Sequence, residues 1–308
     1  MPSQTTRSDC DWPGIVLLLF AGLATPALVL FAPPAAFPLS VFGFVVLHFS
    51  GHAATHRSLF RVRGPAAVVL NEALLFAAFT PQLLNYQVLS AAHMNHHALG
   101  RNSGDNPDVV SGRRSLTTHT VYYGRLLFAQ YAYWVCASLF SAMVGPTKRT
   151  IRAGRVGMRF VLPRAVPQIG IAVFAVLALS INAAHAVFYF LTCGLLWSLN
   201  QNVAHHGLKG WDAWSAAVAA RTYLVDPITE RITYGSLSHL AHHVFPRRSG
   251  RDLQSECTLE AAGKRLGGTV SIAGGLGAFF RDLLVLQMNG PMEESQQNTS
   301  WISLETER

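Results

Sequence analysis

Charge is what this sequence lacks most. Only 13% of its 308 residues are Asp, Glu, Lys or Arg, while 50% are hydrophobic, and the mean hydropathy is positive. A soluble globular chain ordinarily carries about a quarter charged residues, so the composition argues against one and for a membrane protein. Cysteine is equally uninformative: Cys10, Cys136, Cys193 and Cys257 form no CxxC pair, which argues against a disulfide framework and against a thiolate metal site. No internal repeat or low-complexity linker marks a second domain.

Charge is missing altogether from two tracts, between Asp11 and Arg57 and between Arg164 and Lys209. Each can supply two helices of the roughly 20 apolar residues that a bilayer requires. The first tract divides at APPAAFP (residues 32–38), since proline starts helices well and interrupts them badly. That predicts spans over 13–32 and 37–56. The second divides near SINAAH (residues 180–185), predicting spans over 165–181 and 185–205. A cleaved signal peptide fits the first span poorly, because its basic leader is only Arg7, with Asp9 and Asp11 beside it.

From Arg57 to Arg164 the chain has thirteen Lys and Arg against three acids, Glu72, Asp105 and Asp108, while both hairpin turns are uncharged. The positive-inside tendency puts that basic segment, and with it both termini, on the cytoplasmic side. Residues 1–12 are then a cytoplasmic leader, 13–285 the membrane domain, and 286–308 a polar, acidic tail expected to be disordered.

Against this scarcity stands an abundance of histidine, thirteen in all, in four motifs: HAATH (52–56), HMNHH (93–97), NVAHH (202–206) and HLAHH (239–243). On a helix, positions i, i+3 and i+4 share a face, so HxxxH and HxxHH each aim their imidazoles one way. Clustered neutral imidazoles are the commonest metal ligands, whereas several protonated ones on one face repel each other. One HxxxH alone is more often incidental; the four motifs together predict a metal site.

Convergence requires all four motifs on one side of the membrane. Two further apolar stretches, 65–84 and 126–146, would separate them if either crossed alone. Both are therefore expected as interfacial or re-entrant helices, consistent with Glu72 inside the first and the aromatic run YAYW (131–134) in the second. The predicted architecture is an all-α integral membrane fold: four transmembrane helices in two hairpins, with a cytoplasmic helical cap carrying the histidine motifs. TLEAAGKRLGG (258–268) is expected to add a small helix covering the metal site.

HAATHRSLF resembles the first histidine box of membrane fatty acid desaturases and their relatives. HMNHHALGRNSGDNPD resembles their second box with its downstream acidic segment, HLAHHVFP resembles the third, and NVAHH resembles the additional Asn-x-x-x-His element of the superfamily. The resemblance runs from about residue 40 to residue 250. It implies a pair of irons held by His52, His56, His93, His96, His97, His206, His239, His242 and His243, with Asn202 holding a metal-bound water. His205 and His48 are possible additional ligands. Histidine boxes alone would also suit zinc, copper or nickel; the resemblance is what selects iron.

Ligating imidazoles usually donate their other N–H to a carboxylate or carbonyl, which makes Glu72, Asp105, Asp108, Asp226 and Glu230 candidates for orienting them. A surface charge or helix cap is the competing reading for each. His119 and His185 have no box partners, and His185 falls at an outer turn.

The implied reaction uses dioxygen to attack an unactivated C–H bond, by desaturation of a long acyl chain or, alternatively, by hydroxylation or ketolation of a lipid or carotenoid. It needs two external electrons. No haem-binding extension or iron–sulfur motif is present, and GGLG (274–277) is a poor fragment of a nucleotide loop. A separate reductase system is therefore expected, and the net charge of +8 favours an acidic donor such as a ferredoxin or cytochrome b5. The same basic surface suits anionic lipid headgroups; no nucleic acid partner is expected. The HxxxH spacing resembles acyl-lipid, sphingolipid and carotenoid enzymes more than the animal acyl-CoA type. A reading from another class, a histidine-rich metal transporter or sensor, would distribute ligands along a transmembrane path instead.

Overall fold

A computed structural model of the chain describes residues 10–56, 58–60, 64–99, 115–140, 160–204, 220–246, 248, 250–253, 255–266, 269–288 and 302–303. Its first two helices are α1 (Trp12–Phe31) and α2 (Phe37–Thr55). Asp11 caps α1 by accepting from the Gly14 amide at 3.4 Å, and prolines at the first turns of both helices lose no hydrogen bond. The two helices pack closely because Gly43 lets Thr25 rest directly on the α2 backbone. Phe20, Leu23 and Phe31, all at least 70% exposed, face away from the bundle as a lipid-facing surface would.

Helix α3 (Pro65–Phe79) continues through a single 3-10 turn, Thr80–Gln82, into Leu83, whose φ of 55° is left-handed. The chain then starts α4 (Tyr86–Leu99) at 103° to its predecessor. Asn85 fixes that corner: its side chain accepts from the Gln87 amide at 2.9 Å and its own amide donates to Ser138 Oγ at 2.8 Å. Ser138 lies on α6 (Gln130–Leu139), which follows α5 (Leu116–Gly124) and a π-helical turn over Arg125–Ala129.

Helix α7 (Ala165–Val203) contains one non-helical residue, Asn182, with φ −145° and ψ 65°. Phe174 and Phe190 lie sixteen residues apart, about 24 Å along a straight helix, yet their ring centroids are 6.3 Å apart. The helix therefore folds back on itself at Asn182, inside the stretch where the sequence predicts a turn. Asn182 holds the turn against the α1–α2 corner by donating to the Ala32 carbonyl at 3.0 Å. His185 is buried beside it, its Nε2 2.8 Å from Ser40 Oγ and its ring edge-on to Phe37.

Three helices are long and apolar enough to cross a membrane, Trp12–Phe31, Pro34–Thr55 and Ala165–Gln201, with a fourth if the bent pair Pro65–Gln82 and Tyr86–Met94 counts as one span. The chain is thus mostly helical with membrane-spanning candidates, but it is not all-α. Strand β1 (Arg221–Leu224) pairs in parallel with β2 (Thr269–Gly274), and β2 pairs antiparallel with β3 (Ile302–Ser303). RTYL and TVSIAG are short and rich in β-branched and aromatic side chains, so local preference here outweighs the helical surroundings. Helices α8 (Pro227–Ile232), α9 (His239–Val244), α10 (Gly250–Leu253), α11 (Glu256–Arg265) and α12 (Gly275–Met288) complete this layer.

Candidate metal centre

Three elements bring the histidine boxes together. The last turn of α2 carries His52 and His56, α4 carries the second box, and α9 carries the third. The sharp corner before α4 returns the second box to the end of the bundle where α2 finishes. Strand β1 places the third: the Arg221 amide donates to the Ala204 carbonyl at 2.9 Å, and the Tyr223 amide to the Leu237 carbonyl at 2.8 Å. The end of α7 and the start of α9 are thereby tied through one strand. Leu240 anchors α9 from below, packed with Ala220 and with Ala262 and Leu266 of the α11 segment.

Among the described residues, seven imidazoles form one continuous group. His52, His56, His93 and His242 each offer a ring nitrogen within 4.8 Å of the others. His97, His239 and His243 adjoin them: the His97 and His243 ring centroids are 4.2 Å apart, and those of His239 and His243 are 4.7 Å apart. His93 Nε2 lies 2.6 Å from His56 Nε2 and 3.1 Å from His97 Nε2. Two neutral ring nitrogens meeting at such distances need a proton or a cation between them, because lone pairs facing each other repel.

His242 shows which. It is buried, and its Nε2 has no hydrogen-bond partner among the described residues. Burial, reinforced by the imidazoles of His52, His56, His97 and His239, holds its pKa well below the ordinary 6.5, so it is neutral. A buried, neutral ring with an unpartnered nitrogen, in a group of four histidines, is a metal ligand's condition. The residues present fit a metal.

Two cavities meet at this group. One is lined by Asn200, Ser236 and Tyr223 together with Phe49, Leu237 and Phe279. The other is lined mainly by apolar side chains, Phe79, Leu89, Ala92, Trp134 and Trp197. His48, His52, His93 and Gln201 line both.

The fatty acid desaturase family matches residues 14–255, most of the chain and every histidine box. The chain belongs to that family. Membership makes it an oxidoreductase of a di-iron family, and the converging imidazoles are where such metals would sit. No individual curated protein matches the chain.

Within a desaturase family member, the remaining candidates divide clearly. His205, His206, Asp105 and Asp108 lie outside the described residues, as do the side chains of His96 and Asn202. Glu72 is buried but accepts from Tyr86 Oη at 2.8 Å, from the Leu162 amide at 3.0 Å and from the Val161 amide; none of these partners is a histidine. Asp226 is the N-cap of α8, accepting from the Ile228 and Thr229 amides at 2.9 and 3.0 Å, and Glu230 sits in that helix's first turn. His119 bonds the Ser115 carbonyl at an exposed helix start. Helix α11 does pack against α9, as the expected covering helix would. What the sequence does not flag are Asn200, Tyr223 and Phe279 around the cavities and Gln82 against His48; of these only Asn200 lies beside a motif.

Proposed function

We propose that the chain is a dioxygen-dependent di-iron membrane oxidoreductase that introduces a C=C bond into a long acyl chain of a lipid or carrier-bound fatty acid. The observation that carries this reading is the four-histidine group of His52, His56, His93 and His242, in which buried His242 keeps an unpartnered Nε2. The apolar cavity reaching His52 and His93 supports a hydrocarbon substrate. When bound, two irons supply the dioxygen activation needed to break an unactivated C–H bond.

The chain's own residues do the rest. His52, His56, His93 and His242 hold one metal as neutral imidazoles; His97, His239 and His243, with His96, His206 and Asn202, complete the set for the second. Phe79, Leu89, Trp134 and Trp197 bind the hydrocarbon and exclude water beside the histidines. Two external electrons and two protons, with the two hydrogens lost by the substrate, balance dioxygen to two waters. A ferredoxin or cytochrome b5 with its reductase supplies those electrons at the basic cytoplasmic face, and both termini lie on that side.

The test is metal content followed by product. The full chain, purified in detergent from iron-supplemented cells, is expected to carry about two irons; its membranes, given a ferredoxin and reductase, are expected to yield acyl chains lacking two hydrogens. Chains that instead gain an oxygen make the enzyme a hydroxylase or ketolase on the same site. Substoichiometric iron with exchangeable zinc and no product makes it a metal transporter or sensor.

A further inference from the structure

His48 stands one turn before His52 on α2, and its ring is among the walls common to both cavities. Both of its nitrogens are committed. Gln82 donates its Nε2 to the Ala78 carbonyl at 2.8 Å, which turns its Oε1 towards His48 Nδ1 at 3.3 Å. An amide oxygen only accepts, so Nδ1 carries the proton. Nε2 is then the lone-pair nitrogen, and Asn200 donates its Nδ2 to it at 3.2 Å. One neutral tautomer satisfies both amides, and its lone pair is already used.

The ring is also packed. Phe44 stacks on it at 6.1 Å and an interplanar angle of 6°, while Phe49 and Trp197 meet it edge-on at 5.5 and 6.4 Å. His48 is therefore an immobilised wall shared by the two cavities, one turn from a ring that faces the metal group. Neighbouring methylenes of a hydrocarbon are chemically alike. Only their placement relative to the reacting centre distinguishes them, and a misplacement of about 1 Å can cost on the order of 100-fold in rate.

We propose that His48 is a positioning residue and not a metal ligand: the amide clamp of Gln82 and Asn200 fixes its ring as the stop that decides which carbon of a chain threaded between the two cavities lies at the metals. The effect on product position rests on the acyl-chain reading above; the ring's tautomer and its independence from the metals do not.

The test uses the full chain and two variants. His48→Phe keeps the ring's bulk without nitrogens; Gln82→Met leaves the imidazole in place but removes the acceptor that orients it. Iron per chain and the absorption of the cobalt-substituted protein are expected to match wild type in both. The position of the new double bond in the producing cells' acyl chains is expected to spread, with the wild-type isomer falling at least about 10-fold relative to its neighbours. Lost iron or an altered cobalt spectrum in His48→Phe, with Gln82→Met unchanged, would make His48 a ligand and overturn the proposal; an unchanged isomer distribution in both variants would overturn it equally. A wild type that modifies no chain overturns the acyl-chain reading alone. The proposal is then decided by 15N spectra of histidine-labelled protein: a metal-independent signal pair, protonated at Nδ1 and absent from His48→Phe, supports it, and a pair that shifts on metal loading overturns it.

Discussion

Glu72 and His242 are both buried polar groups, 2% and 4% exposed, yet one is complete within the fold and the other is not. The Glu72 carboxylate is surrounded by donors, the Tyr86 hydroxyl and the amides of Val161 and Leu162, and so pins the segment entering α7 to α3 and α4. His242 packs against other imidazoles and has no hydrogen-bond partner at Nε2 among the described residues. A buried carboxylate costs least when the chain itself supplies its partners. A nitrogen left bare inside an imidazole cluster is what a bound metal would complete. The two sites mark the difference between polar burial that serves the fold and polar burial that serves a ligand.

Removing His242 should break the second site while sparing the fold. His242→Ala is expected to lower activity by more than about 100-fold, beyond the ~10–100-fold that loss of a partner behind the ligands costs, and to reduce iron per chain. Its unfolding midpoint without metal should stay near wild type, because the lost ring had no hydrogen bond at Nε2 to lose. Iron analysis alongside thermal unfolding in detergent checks both halves; a metal-free variant much less stable than the metal-free wild type would mean that the cluster is structural.

Glu72→Ala should show the reverse. It strands three donors, each costing about 1–3 kcal/mol if left unsatisfied, so a loss of about 4 kcal/mol is expected. Iron per folded chain should be unchanged, since no histidine is among the partners of Glu72. If iron falls while stability holds, Glu72 orients the ligands after all and the contrast fails.

Asn182→Ala probes a smaller structural contact at the opposite end of the bundle. The lost bond to the Ala32 carbonyl is worth about 1 kcal/mol, with metal content and activity intact. A comparison of unfolding midpoints with Glu72→Ala would rank the two contacts.

The helical, membrane-type architecture and the boxes were legible in the sequence for one reason: both are periodic signals carried by adjacent residues. Charge-free tracts mark the spans, and HxxxH or HxxHH marks a helix face. The turn at Asn182 was legible because polar Ser180 and Asn182 interrupt an apolar run. Strand β1 was not, since its four residues gain their role from pairing with β2, nearly fifty residues later, and from the backbone bonds to Ala204 and Leu237. The partners of Glu72 are hidden from the sequence for a related reason. Its burial could be read from AVVLNEALLF, but its partners lie about ninety residues on, at Val161 and Leu162. His48 illustrates the same limit, with Gln82 and Asn200 on separate elements.

The smallest effect should come from Asp226, one of the two acids that precede the third box among those expected to orient histidines. Its bonds to the Thr229 hydroxyl and amide, and to the Ile228 amide, hold its pKa below the ordinary 3.8. A depressed carboxylate stabilises the fold above its unfolded value, and that stabilisation is lost as pH falls below 3.8 through the folded value. Asn caps helices about as well as Asp, so Asp226→Asn should leave neutral-pH stability and iron content unchanged and remove only this part of the acid sensitivity, measured as the unfolding midpoint between pH 5 and pH 3. Because Asp226 is exposed, the change should be slight. Loss of iron in Asp226→Asn would instead place this carboxylate behind the histidines, and its bonds would then serve the metal centre as well as the helix cap.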